Sequence, residues 1–338
     1  MSGPVIAARQ VDGLAPAIDA VADRAADPQR FLRRAWYAAA VAAYGGRART
    51  IVVEQADAPV LALPLVPLGP APFRLAQVSG HYWPFRSAPI ARDSSGTAAA
   101  AALAAIARRW RGVRLGPVPD GDPAATALVA AARAGGWTVL DRVVGQGWTQ
   151  DLTDPAWPRA SALKKNRFHE KHLAAHGTLD WRFLSGADWP AAFDLLAQVE
   201  RASWHAGSAD AKFAGGPHAR FWRAAAADPA LAAHCRAALL TVDGMPAAFS
   251  FDLDTGTTRH AIANSYDPRF AKHSPGKLLH YRNLRDARSR GITTVEWGSG
   301  DSGYKQVLGA TPGAPIRDWL LLRPGPIAWA ARPLQTRT

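Results

Sequence analysis

The chain has 338 residues, 48% hydrophobic and 20% charged, proportions that suit two globular domains and exclude wholesale disorder. One cysteine, Cys235, excludes an internal disulfide and a multi-cysteine zinc site, and it reads as a buried small hydrophobe. The net charge of +13 favours polyanions such as nucleic acid, an anionic membrane face or a phosphorylated cofactor, yet the basic residues are scattered, with one denser patch at Lys164, Lys165, Arg167 and Lys171.

No apolar run reaches the ~18 residues that cross a bilayer. The start of the chain lacks the charged-then-apolar pattern of a signal peptide. The expectation is a soluble, cytoplasmic protein.

In chain order, the pattern predicts a helix over 28–44, strands over 50–55, 60–66 and 74–82, and an alanine-rich helix over 97–110. A strand over 113–116, a helix over 124–134 and a strand over 137–144 follow. Asp154-Pro155 and Trp157-Pro158 punctuate a join at 151–159. Beyond it come a basic helical stretch, helices over 189–204 and 217–226, and strands over 238–242, 245–254 and 259–266, with Asp243-Gly244 as a hairpin turn. A loop over 267–275 leads to a helix over 276–290, with Leu278, Tyr281 and Leu284 on one face and Gly291 as its stop. A strand over 293–297, a glycine-rich turn over 298–303, a short helix over 304–308 and a strand over 319–322 complete the chain.

The order strand, strand, strand, helix, strand, helix, strand occurs twice. The fold class read from it is α/β, with α+β mixed sheets, in two tandem domains packed together, 1–152 and 153–330.

The loop from Lys272 to Lys277 joins a strand to a helix and has the physics of a phosphate cradle. A helix start offers unpaired N–H groups and the positive end of the dipole. Gly276 permits close backbone approach, Ser274 can cap the helix or donate to a phosphate, and Lys272 and Lys277 bring charge. His273, between them, suits phosphate better than proton transfer. On local sequence alone an ordinary Ser-Pro helix start explains the same residues.

The wider pattern resembles the GNAT acyltransferase superfamily. It runs from Glu200-Arg-Ala-Ser-Trp204 through Phe213, Phe221-Trp222, Asp243-Gly244, Tyr266-Asp267-Pro268 and Ser274-Pro275-Gly276 to Gly298-Ser-Gly-Asp-Ser-Gly-Tyr304-Lys305. Gly80-His-Tyr-Trp-Pro-Phe-Arg-Ser87 adds to it. The likeness is to the duplicated branch: the acetyltransferases of bacterial polysaccharide clusters (CelD/BcsL-like) and the related FemAB aminoacyltransferases. The superfamily's pyrophosphate signature, Gln or Arg, two residues, Gly, one residue, then Gly or Ala, stands here as Ala271-Lys-His-Ser-Pro-Gly276.

The resemblance implies two tandem GNAT-like domains. In the second, acetyl-CoA or another acyl-CoA would lie between the strands at 259–266 and 293–297, its pyrophosphate on Lys272, His273, Ser274, Gly276 and Lys277. The first, without a similar cradle, would shape the acceptor cleft. Tyr304 would be the acid for the leaving thiolate, and Lys305 would hold negative charge nearby. Among candidate bases, Glu296 is preferred to Asp301, Asp267 and Glu200 if strand alternation points it inward. Glu200, Trp204, Arg86 and Asp301 are the candidate acceptor-binding residues.

His169, His172 and His176 share one helix face, but the lysines and arginine crowding them would repel a cation, so no metal is expected. That basic helix suits donor phosphates or an anionic lipid surface instead. The function read from all this is acyl-CoA-dependent N-acyltransfer to an amine, by direct transfer. An amino sugar or lipid precursor of an envelope polysaccharide is the implied acceptor. The alternatives are an aminoacyl-tRNA-dependent transferase like FemAB, and a catalytically silent binding protein. The former is weakened by the absence of sustained heptads.

Overall fold

The computed structural model describes residues 5–80, 83, 86–204, 206–300 and 303–331. In order, its elements are β1 (Ile6–Asp12), α1 (Ala17–Arg24), α2 (Arg34–Tyr44), β2 (Arg49–Gln55), β3 (Ala58–Leu68), β4 (Leu75–Val78), α3 (Gly96–Ala107), β5 (Gly112–Pro119), α4 (Pro123–Ala134) and β6 (Thr138–Asp151). There follow α5 (Ala160–Leu173), β7 (Leu179–Ser185), α6 (Ala192–Ala202), α7 (Gly216–Ala226), α8 (Pro229–Ala232), β8 (Cys235–Val242), β9 (Met245–Thr255), β10 (Thr258–Tyr266), α9 (Pro275–Ser289), β11 (Thr294–Ser299), α10 (Tyr304–Leu308), β12 (Thr311–Leu322) and α11 (Pro326–Ala331).

The chain forms two compact units, residues 1–146 with 314–338, and residues 147–313. Strands of the first unit run in the order β1-β2-β3-β4-β5-β12. All neighbours are antiparallel except β4 and β5, which are parallel and joined by the crossover helix α3. Strands of the second unit run β7-β8-β9-β10-β11-β6. Again one pair is parallel, β10 and β11, and α9 is its crossover.

The duplication is therefore a repeat of topology, strand for strand, with one exchange. The sixth strand of each unit comes from the other repeat: β12 pairs with β5, Leu322 opposite Gly112, and β6 pairs with β11, Asp151 opposite Thr294. The unit boundaries consequently depart from the expected 1–152 and 153–330. Residues 314–330 belong with the first unit because β12 hydrogen-bonds there. Pairing across so large a separation leaves no local mark in the sequence.

Proline and glycine also interrupt the strand pattern without ending the strands. Gly145 and Gly147 made β6 seem to end at 144, though it runs to Asp151. Pro312, Gly313 and Pro315 hid the first two-thirds of β12. The strands β1 and β7 and the helix α1 went unread, and the helix expected from 28 begins at Arg34.

In the second unit α9 turns Leu278 and Leu279 onto Ala238, Leu240, Ala247 and Ala248, and Tyr281, Leu284 and Ala287 onto Val295 and Trp297. The helix α5 anchors beside it through Leu173, fully buried, and Ala162. Beneath α9 lies a buried polar network. The Arg259 guanidinium donates to both oxygens of Asp254 at 2.7 and 2.8 Å and to Asn283 Oδ1 at 2.7 Å, and Asn283 Nδ2 donates to Asp252 at 2.7 Å. Burial pushes the Asp252 carboxyl up to about 6, while the arginines around Asp254 hold that carboxyl below the usual range despite its burial. These contacts tie β9, β10 and α9 into one body.

Candidate active site

The strands β10 and β11 start together and then part. Among the described residues their pairing covers Thr258–His260 and Thr294–Glu296, and nothing pairs beyond. On β10 the side chains change phase at a bulge between Ala261 and Ala263. Arg259 and Ala261 face α9, and after the bulge so do Asn264 and Tyr266. Strict alternation would have turned Asn264 to the other face.

At the start of α9, Ser274 takes a left-handed conformation, φ +52° and ψ +48°, as N-cap. Glycine adopts that conformation freely, which matches the glycine of the superfamily signature at this place. The carbonyl of Ser274 accepts the first helical bond, from Leu278 N at 3.1 Å. Pro275 has no N–H, and Gly276 and Lys277 occupy first-turn positions whose N–H groups have no partner within the helix. A Cβ on Gly276 would sit 3.2 Å from Tyr266 Cδ1, so the glycine keeps this wall open.

The third wall is α10. Tyr304, its first residue, stacks on His280 of α9 with ring centroids 5.8 Å apart and planes 14° apart, and meets Trp297 edge-on at 6.0 Å. Asn264 Nδ2 donates to Tyr304 Oη at 3.2 Å. Burial, with a smaller contribution from the Asp252 carboxylate, raises the Tyr304 phenol above its ordinary value, and the Asn264 N–H opposes this. Burial also drives His280 down to about 4, so it stands as a neutral ring.

These walls enclose a cavity of about 410 Å³. Five residues expected from the sequence line it: Trp204, Ser274, Gly276, Lys277 and Tyr304. Trp204 is 72% exposed and Val307 58%, and both border the cavity. A more open groove of about 960 Å³ lies along the opposite flank of α5, but its Arg282 is occupied by Glu170 and by the Trp181 ring.

Other expected residues are placed differently. Lys305 is buried, and its ammonium donates to the carbonyls of Ser299 at 2.9 Å and Gly300 at 2.5 Å; it closes the glycine-rich turn. Glu200 is buried too, and its carboxylate accepts the backbone N–H groups of Lys212, Phe213 and Ala214, each at 2.7 Å. It shapes that loop, and the carboxylate is committed to it. Lys272 is exposed, and His273 Nε2 lies 2.9 Å from His176 Nε2. Arg86 belongs to the first unit, where it donates to Gln77 Oε1 at 3.1 Å. Asp301 lies outside the described residues, as do four residues of the 80–87 stretch.

Glu296 occupies the last paired position before β10 and β11 part. Its neighbours Val295 and Trp297 point to the α9 core, so alternation turns Glu296 to the opposite face of the sheet from Tyr304, and the inward placement on which its preference as base rested is not met. There it accepts a hydrogen bond from Thr149, and burial without a cation beside it pushes its carboxyl up to about 7. His260, opposite it on β10, is buried and driven down to about 4.

His280 and Asn264 went unread in the sequence. The first had a signal, since it stands one helical turn after Gly276 on the same face. The second had none, because a bulge sets its direction. No group of three or more metal-ligating side chains is arranged to hold an ion among the described residues. No described helix is long and apolar enough to cross a membrane. Burial pushes the Cys235 thiol up to about 12.

Comparison with known proteins gives the fold a context. Residues 160–306 match the family model described as an acetyltransferase (GNAT) domain. No curated protein matches the sequence. Among solved structures, FemX superposes with a TM-score of 0.61 at 11% identity, over 93% of this chain and 97% of its own. The C-terminal domain of a provisionally assigned lysylphosphatidylglycerol synthetase from Agrobacterium fabrum gives 0.56 at 14% identity, over 94% and 93%. L-PGS from Bacillus licheniformis gives 0.54 at 13%, over 93% and 97%. These likenesses are of fold. The parted strands and the crossover helix α9 lie within the stretch 160–306 that matches the acetyltransferase (GNAT) domain, and the fold is that of an acyltransferase.

Proposed function

We propose that the protein is an acyl-CoA-dependent N-acyltransferase of the duplicated CelD/BcsL-like branch, with its donor site in the second unit. The observation that carries this is the single cavity where the open start of α9 and the Tyr304 hydroxyl meet beside the parting of β10 and β11. Coenzyme A presents its acyl group as a thioester, whose thiolate needs a proton on leaving. The free first-turn N–H groups, Gly276 and Lys277 fit its diphosphate.

Each residue has a defined task in this reading. Tyr304 keeps its proton at neutral pH and its oxygen already accepts from Asn264, which leaves the phenolic proton to donate into the cavity. Glu296 takes the proton of an incoming amine from the opposite face of the sheet, at the fork of the strands. A carboxyl near 7 is matched to that work. Trp204 and Val307 offer the cavity an apolar rim suited to an acyl chain. Acetyl is the default acyl group, and an amino sugar or lipid precursor of an envelope polysaccharide is the acceptor.

The test is thermal denaturation with coenzyme A, acetyl-CoA and palmitoyl-CoA, beside a Gly276→Trp variant. A ligand that binds only the folded state raises the melting temperature. Stabilisation lost in the variant supports the reading; no stabilisation by any thioester ends it.

The likeness to FemX favours one second reading, an aminoacyl-tRNA donor in the same fold. Against it stands the absence of a long helical arm among the described residues, where α9, at 15 residues, is the longest helix. Stabilisation by charged tRNA and by no thioester would select it. Silence towards both would select a non-catalytic binding protein.

A further inference from the structure

The helix α5 sorts its charges onto two flanks. On one, Glu170 accepts from Arg282 at 2.5 Å and is compensated. On the other, Lys165, His169, His172 and His176 follow one another at steps of four, three and four residues, a single stripe down the helix and the short turn after it. Across from the stripe stand His273 and Lys277 at the start of α9, with His176 and His273 in ring contact at 4.8 Å between centroids.

This flank sets two lysines beside a row of imidazoles, and burial, followed by the neighbouring positive charge, holds the His169 and His273 rings below their ordinary value. Lys165 bears on Lys277, and His169 feels Lys165, Lys277, His273 and His172. His273 shares a hydrogen bond with His176 and has Lys272 beside it in the chain. Among the described residues no carboxylate pairs with Lys165, Lys272 or Lys277. Such a face gains stability when an anion settles on it. It adjoins the cavity through Lys277, which lines it. Besides the diphosphate proposed for the start of α9, coenzyme A carries one more phosphate, a 3′-monoester with a charge near −2 at neutral pH.

We infer that the Lys165–His169–His172 flank of α5, facing Lys277, is a second phosphate site that reads the 3′-phosphate of coenzyme A. The inference rests on the acyl-CoA reading above. It makes the protein selective for coenzyme A over 3′-dephospho-coenzyme A, through an element outside the strand-and-crossover core.

Calorimetric titration of both ligands into the wild type, Lys165→Ala and Lys165→Ala/His169→Ala tests it. The wild type is expected to bind coenzyme A roughly tenfold or more tightly than the dephospho form. The ratio should shrink towards one in the double variant, with the dephospho affinity unchanged. Lys165→Ala alone, at an exposed position, should show part of the loss and stands in if the half-buried His169 cannot be replaced without unfolding. Equal affinities in the wild type overturn the inference, as does a ratio that survives both substitutions. If the substitutions instead weaken binding of a short RNA duplex and leave the ratio intact, the flank serves nucleic acid and the inference fails. Failure of both ligands to bind removes the donor reading itself, a separate outcome.

Discussion

The amide of Asn264 donates to the hydroxyl of Tyr304 across 3.2 Å, and this bond fixes which way the tyrosine's own proton can point. With its oxygen already accepting, Tyr304 is set to donate elsewhere, and both residues line the same cavity.

Tyr304→Phe keeps the ring stacked on His280 and removes only the proton. Its kcat should fall by roughly 10²–10⁴, the usual range for lost acid catalysis, with donor affinity nearly unchanged. Asn264→Ala should cost less activity but move the alkaline limb of the kcat profile upward, because the lost N–H had favoured the phenolate. Steady-state kinetics against pH reads both.

Glu296 gives a paired prediction. As the base it must be ionised, so kcat should decline as pH falls through about 7, and Glu296→Gln should flatten that limb along with most of the activity. Stability runs in the opposite direction. The folded state raises this carboxyl, so its contribution is full below about pH 4.5 and is lost as pH rises through about 7. Glu296→Gln should therefore melt higher than the wild type at pH 8, and the gap should close by pH 4.5.

Ser274 holds a left-handed backbone that costs an L-residue about 1–2 kcal/mol. Ser274→Gly relieves this and loses some of the gain to chain entropy, for a net gain of about 0.5–1 kcal/mol in denaturant unfolding. Coenzyme A should bind the variant more weakly, because the hydroxyl is gone.

Arg259 is fully buried between two carboxylates and an asparagine. Arg259→Leu leaves Asp254 without its bidentate partner and should destabilise the second unit by about 3–5 kcal/mol. Urea unfolding followed by tryptophan fluorescence measures it.

The sequence disclosed the repeat, the crossover helix and five of the cavity-lining residues, because hydrophobic period and turn chemistry are local, while of the 271–276 signature only Gly276 keeps its place. It did not disclose what depends on distant partners. The lysine at 305 looked catalytic, and only the folded turn shows its ammonium bound by carbonyls. Glu200 looked like a cleft carboxylate, and only the path of the loop at 212–214 shows it consumed by backbone amides. Asn264 owes its direction to a bulge, and β12 owes its place to β5. Each is a pairing that no short stretch of sequence encodes.

The exchange of β6 and β12 sets a schedule on the ribosome. The first repeat emerges early but lacks its sixth strand until residues 314–322 have been made, and until then the edge of β5 stays open. Meanwhile β6 must wait for β11, more than a hundred residues later in synthesis, before it finds its partner. Neither half can therefore lock as it is born, and the donor cradle is completed only when almost the whole chain is free to close.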